Sequence, residues 1–346
     1  MRFQLCASNV ELIIWSAIFI ISLFALIKAA DWIFLGVQKL SGNSETGLVA
    51  ASICVVLPEL AAAIAAVAQG KPDLAVALVI GSSVANILLV TGIGAVAAKS
   101  VTIKQEHVDQ DLPLFVAAVA FFCFVAFDGE INFFEGMLSF AMFFVYSIYI
   151  FSSNHRPTLT PRDVINPGVI GEVMAKLVEV IPTRLEKSFE AIKNGEKQPL
   201  WKTAMMLAGG SLILVVAANF TIQSLLGISE KTDFSGAVIA AIVLAICASL
   251  PEIFAGLEVA RKKRYEIMMG NVYSAVTINL LLVAGVSALF ATLPLVGPIL
   301  TIGLPFLAAS SLMLAVSSIS HRINFGEGMM FLFFYFLFFV KLLDLF

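Results

Sequence analysis

Two glutamates stand where an oily interior should exclude them. Glu59 lies in ICVVLPEL (53–60) and Glu252 in ICASLPEI (246–253), each after a proline and each within a long apolar run. A carboxylate inside a membrane is costly and faces a cavity or a partner. Proline has no N–H to give the carbonyl four residues back, so Pro58 frees the backbone oxygen of Cys54 and Pro251 that of Cys247. Free carbonyls at membrane depth are tolerated where they line a cavity or hold a cation. Asn86 and Asn279 fall at similar depth in the following runs. Ser82 precedes Asn86 by four residues and Ser249 precedes Glu252 by three, each on its neighbour's helical face. Together these groups make an all-oxygen shell with two negative charges. A hard divalent ion taking six to eight oxygens, such as calcium, suits it; magnesium asks for a more rigid, wetter octahedron. No resident cofactor is expected.

The elements that must position these groups are membrane helices. The chain has 346 residues, 60% hydrophobic and 13% charged, with mean hydropathy +0.98, far more apolar than a soluble domain. Crossing a bilayer takes about 17–25 apolar residues. Ten spans are expected at 11–37, 46–69, 73–98, 112–128, 131–152, 201–225, 235–260, 266–290, 293–318 and 324–345. The first has too long an apolar core and too weak a basic flank for a signal peptide. Glu59 then falls about 20 Å along its helix, near the middle of a ~30 Å hydrocarbon core.

With both termini outside, sixteen Lys and Arg fall on the cytoplasmic side, including Arg261-Lys262-Lys263-Arg264 and eight in the 153–202 connection, against four outside. That bias sets the orientation. Within the connection, 171–195 has apolar residues at helical spacing among charges, as in a helix lying on the inner leaflet.

The chain repeats itself. Glu59 and Glu252 are 193 residues apart, as are Asn86 and Asn279; NILLVTG (86–92) matches NLLLVAG (279–285), and INFFEGM (131–137) matches INFGEGM (323–329). Residues 1–152 form one five-span copy and 201–346 the other, joined by 153–200. Five is odd, so the second copy enters the membrane inverted. The fold class expected is an all-α membrane protein of ten helices in two inverted repeats, the plan of secondary transporters with a site near the midplane.

These motifs resemble the calcium/cation antiporters, which include the sodium/calcium exchangers. Their two alpha repeats typically read GTSLPEL and then a GNxxGSNxxN-type segment. The first copy here reads CVVLPEL, then ALVIGSSVANILLVTG; the second reads CASLPEI, then GNVYSAVTINLLLVAG. The resemblance implies calcium bound by Glu59, Ser82, Asn86, Ser249, Glu252 and Asn279. It also implies alternating access, with the first span of each copy sliding against the rest. Val55-Val56 and Ala248-Ser249 replace the family's Thr-Ser, and Ala275 replaces a serine. Several oxygens of the sodium sites are thus absent, and the counter-ion is sodium or protons.

Other residues have plainer roles. Lys28 and Asp31 are spaced to pair along one helix. Glu135 and Glu327, in the INFxEG segments, suit helix starts. Cys54 and Cys247 serve as small apolar filler rather than as thiolate ligands. His107, His155 and His321 fall in expected connections, and no HExxH, GxSxG or P-loop occurs, so no enzyme is expected. The expected partners are lipid and inorganic cations, with no nucleic acid and no protein partner, in a prokaryotic plasma membrane. A passive cation channel, or a transport-inactive cation sensor, is the rival reading.

Overall fold

A backbone in hydrocarbon must satisfy its own polar groups, which favours helix throughout. The computed structural model describes residues 2–41, 54, 56–105, 107–152, 200–232, 234–250, 252–253, 257 and 265–343. In chain order these form α1 (Arg2–Ser41), α2 (Leu57–Ala68), α3 (Pro72–Ala85), α4 (Thr91–Ala98), β1 (Ser100–Thr102), α5 (Leu112–Val125), β2 (Glu130–Ile131), α6 (Phe133–Ser152), α7 (Leu200–Ser229), α8 (Gly236–Ile239), α9 (Ala245–Ala248), α10 (Tyr265–Ile278), α11 (Ala284–Phe290), β3 (Leu293–Pro294), α12 (Leu304–Ile319), β4 (Arg322–Asn324) and α13 (Phe325–Leu342). π-Helical turns link or precede several of them: Asn86–Val90, His107–Asp111, Ala240–Leu244, Asn279–Val283 and Ile299–Gly303.

Among the described residues, seven stretches are long and apolar enough to cross a membrane: Val10–Val37, Pro72–Ala98, His107–Asp128, Trp201–Ser229, Met268–Phe290, Ile299–Ile319 and Phe325–Leu342. Shorter apolar helices, Leu57–Ala68, Phe133–Tyr149 and Gly236–Ala248, fall within the other expected spans. The protein is an integral membrane protein. The expected amphipathic helix of the 153–200 connection and the basic run 261–264 lie outside the described residues.

Two expected boundaries are corrected. The fourth span begins at His107 rather than 112, because His107 is buried and pairs with Asp111 one turn on; His107 is therefore no connection residue. The ninth does not begin as helix at 293: β3 comes first, then a turn through Gly297 at φ 54°, and the helix starts at Ile299.

Two spans form the centre. Pro72–Ala98 and Met268–Phe290 are 94% and 83% buried, against 22–39% for the other five. The outer helices turn large apolar side chains outward, among them Ile20, Ile21, Leu212, Phe333 and Phe336. That is how a protein surface meets lipid rather than water.

The copies are tied to each other crosswise. β1 pairs antiparallel with β4 (Val101 opposite Ile323), and β2 with β3 (Ile131 opposite Leu293). Each two-stranded ribbon thus takes one strand from each copy. Glycines do the same. A Cβ on Gly92 would lie 3.1 Å from the Gly328 carbonyl oxygen, and one on Gly285 would lie 3.2 Å from that of Gly136. Gly92 matches Gly285 at an offset of 193, and Gly136 matches Gly328 at 192. Small residues at such crossings let helix backbones meet closely.

The two INFxEG segments start helices as expected. Asn132 accepts from the N–H groups of Phe134 and Glu135, and Glu135 accepts from the Asn132 N–H. Asn324 and Glu327 make the same reciprocal cap for α13.

Candidate cation site

The site begins with a break in the helix. Val56, just before α2, has φ −92° and ψ 3°; Ser249, just after α9, has φ −84° and ψ 3°. The Leu60 N–H donates to the Val56 carbonyl at 3.0 Å, and the Ile253 N–H to the Ser249 carbonyl at 3.0 Å. The 193-residue offset thus carries one backbone turn from copy to copy. In the first copy Pro58 occupies the first turn of α2, where a missing N–H costs nothing and the fixed φ suits helix entry. Proline therefore starts a new helix rather than kinking a continuous one. Glu59 follows it in that same first turn, at the end where backbone N–H groups favour negative charge. Pro251 lies outside the described residues.

Both glutamates are deeply buried, 1% exposed for Glu59 and 4% for Glu252, and Glu252 is an electrostatic neighbour of Glu59. Cys54 is buried and Cys247 half-buried, each just ahead of its break. Asn86 and Asn279 are buried as well, and each is the first residue of a π-helical turn. Such a turn spoils the regular α ladder locally and is frequent at functional sites.

Packing brings these groups into one neighbourhood. α2 lies against α3 and against Asn279–Val283 and α11; α9 and Ala240–Leu244 lie against α3; α10 lies against Asn86–Val90. Ser82 and Asn279, from different copies, are hydrogen-bonded at 3.1 Å. Ser82 is therefore joined to the second copy's asparagine, a link the sequence does not announce.

Among the described residues, thirteen buried side-chain oxygens and nitrogens have no hydrogen-bond partner within the protein. Seven belong to this neighbourhood: both oxygens of Glu59, Oε2 of Glu252, Oγ of Ser249, Oδ1 of Asn279, and both polar atoms of Asn86. Leaving a buried polar atom unpaired costs ~1–3 kcal/mol, more for a charge. A cluster of such atoms is what a bound ion would satisfy. No group of three or more His, Cys, Asp or Glu side chains converges among the described residues. Two carboxylates completed by neutral oxygens is thus the chemistry on offer, a hard-cation set.

Two further features were not legible. Gly81, in the GSS segment, lies so close to the Ala240–Leu244 turn that a Cβ there would be 2.1 Å from the Ala241 carbonyl oxygen. Its only signal is a glycine beside the predicted ligands. The buried His107–Asp111 pair had a signal in its four-residue spacing, outweighed by the polarity of the segment.

At one rim of the bundle Lys231 meets Glu11 at 2.5 Å. That carboxylate, by hydrogen bond and by charge, holds the exposed ammonium above the usual lysine range.

The chain is similar to known proteins in sequence and in fold. The sodium/calcium exchanger protein family matches residues 14–152 and 202–343. The chain is 26% identical over 358 residues to sodium/calcium exchanger MaX1 of Methanosarcina acetivorans, covering 94% of this chain and 97% of that one. It is 23% identical to inner membrane protein YrbG of Escherichia coli K12, over 79% of each chain. Among solved structures, an H+/Ca2+ exchanger CAX superposes over 99% of this chain and 88% of its own, with TM-score 0.69 at 17% identity. The sodium-calcium exchanger NCX_Mj superposes over 94% and 98%, with TM-score 0.59 at 20% identity. At such identities the structures speak for the fold. The family match covers most of the chain, including both LPE segments and both asparagine turns, and the chain belongs to the sodium/calcium exchanger family.

Proposed function

We propose that the protein is a secondary antiporter that moves calcium, or a related divalent cation, in exchange for sodium or protons. Family membership places it among transporters rather than enzymes. The carrying observation is the pair of buried glutamates, Glu59 and Glu252, on matching helix breaks amid seven unpartnered polar atoms. In this reading Glu59, Glu252, Asn86, Asn279 and Ser249, with the backbone oxygens of Cys54 and Cys247, supply the six to eight oxygens calcium takes. Ser82 completes the set.

The chain is read as ten spans in two inverted copies, 1–152 and 201–346, with both termini outside and 153–200 cytoplasmic in a prokaryotic plasma membrane. Contacts between α1 and α7, the first helices of the two copies, support the inversion. Gly36 faces Leu207, Ala29 faces Gly210, Ser22 bonds Thr221, Trp15 faces Gly227 and Glu11 meets Lys231. One series falls as the other rises, so the two helices run antiparallel, as five spans per copy demand. Alternating access follows in this reading: the broken carrier helices bind the ion near the midplane while the lipid-facing α1–α7 pair moves across them.

Flux into proteoliposomes tests this, with sodium and pH gradients imposed separately and several divalent ions compared. Uphill calcium uptake on one gradient is expected, and Glu59→Gln or Glu252→Gln should abolish it. Normal uptake in both variants would end the proposal. The rival reading, a passive channel or an inactive sensor, is motivated by the valines ahead of Glu59, Val55 and Val56, where the family has Thr-Ser. It requires that gradients only dissipate or that no flux occurs.

A further inference from the structure

The two asparagines hold matched positions but are not held alike. Asn279 Nδ2 donates to Ser82 Oγ at 3.1 Å, and Ser82 Oγ donates to the Val79 carbonyl at 3.3 Å. A hydroxyl has one hydrogen. With that hydrogen given to Val79, Ser82 can only accept from the asparagine. The carboxamide must therefore turn its NH2 toward Ser82 and its oxygen away. That oxygen is buried and without a partner. Asn86 has no such support. The residue 193 positions beyond Ser82 is Ala275, which carries no hydroxyl, and both polar atoms of Asn86 are buried and unpartnered.

We propose that Ser82 is a positioning residue rather than an ion ligand, and that it locks the Asn279 carboxamide, across the boundary between the copies, with Oδ1 facing the cation. Asn86, with Ala275 at the position that matches Ser82, binds through an unlocked carboxamide. The two copies thus offer one rigid and one adjustable amide oxygen. The inference rests on the cation-site reading above and removes Ser82 from its ligand set. A side chain already fixed in its binding orientation loses less freedom when the ion arrives, so the Ser82 contact acts on affinity.

Calorimetric titration of calcium into purified protein, with proteoliposome flux alongside, tests it. Ser82→Ala is expected to weaken binding about fivefold to tenfold, the worth of roughly one hydrogen bond, and to raise KM far more than it lowers kcat. Ser82→Thr, which keeps the hydroxyl, should restore affinity. Ala275→Ser should tighten binding severalfold by giving Asn86 Nδ2 an acceptor. In an Asn279→Ala background, Ser82→Ala should weaken binding no further. Wild-type binding that Ser82→Ala leaves unchanged, or an equal loss in the Asn279→Ala background, would overturn the positioning role alone. A wild-type protein that binds no divalent cation would overturn the antiporter reading, and this inference with it.

Discussion

At the scale of single residues, an unpartnered carboxylate in a buried interior is a liability that a bound cation or a proton removes. Glu59 has neither oxygen satisfied and Glu252 lacks a partner at Oε2. Removing that charge should help the ion-free protein and harm the ion-bound one. Thermal unfolding in detergent should show Glu59→Gln melting above wild type without calcium. Calcium at about a hundred times its Kd stabilises a binding protein by ~2.7 kcal/mol, a gain Glu59→Gln should lose. A lower ion-free midpoint for the variant would mean that Glu59 has an unrecognised structural partner. Ser249→Ala removes one proposed neutral ligand and should weaken calcium binding only severalfold, measured by the same titration. The buried polar cluster was legible because its residue types are expensive in hydrocarbon and because its glutamates and asparagines recur at one offset. The Ser82–Asn279 link was not, because it joins residues 197 apart through a contact that only the folded copies create.

At the scale of elements, the site depends on helices pressed together without side chains between them. Gly81 of α3 touches the backbone at Ala241, where a Cβ would sit 2.1 Å from a carbonyl oxygen. Backbone cannot swing aside as a side-chain tip can, so Gly81→Ala must push α3 from the Ala240–Leu244 turn. Overpacking of this kind costs ~1–3 kcal/mol, and it falls one residue from Ser82. Gly81→Ala should lower the melting midpoint and calcium affinity together, whereas Gly209→Ala, with nothing within 4 Å of the added Cβ, should alter neither. Equal midpoints for the two variants would contradict the close approach. Hydropathy located an apolar helix within every expected span yet misjudged two starts. The fourth begins among His107, Asp109, Gln110 and Asp111, residues that look like loop until His107 and Asp111 are seen to pair. The ninth is delayed by Pro294, Gly297 and Pro298, whose chain direction an apolar count ignores. The π-helical turns at Asn86 and Asn279 leave no mark in the sequence, since they replace one helical hydrogen-bond pattern by another.

At the scale of the whole molecule, the 193-residue offset marked segments that fold into matching turns, at Val56 and at Ser249, while the crosswise pairing of strands and glycines left no such mark, since pairing partners follow from chain paths. Those paths suggest which body moves. α1 and α7 touch from Gly36–Leu207 at one end to Glu11–Lys231 at the other. The remaining helices are bound crosswise through both ribbons and both glycine crossings. A joint is thus expected between the α1–α7 pair and everything else. α7 meets α2 across it, where Gln69 Nε2 donates to the Asn219 carbonyl at 3.2 Å. Two engineered cross-links should therefore give opposite results in a cysteine-free background. Joining Glu11→Cys to Lys231→Cys with a bifunctional maleimide ties parts of one body, and gradient-driven calcium flux should persist. Joining Gln69→Cys to Asn219→Cys by a disulfide clamps the joint, and flux should stop until added thiol reduces the link, with equilibrium calcium binding retained. Flux that survives the second link would show that transport does not require the pair to slide. Flux lost on the first would show that α1 and α7 move against each other.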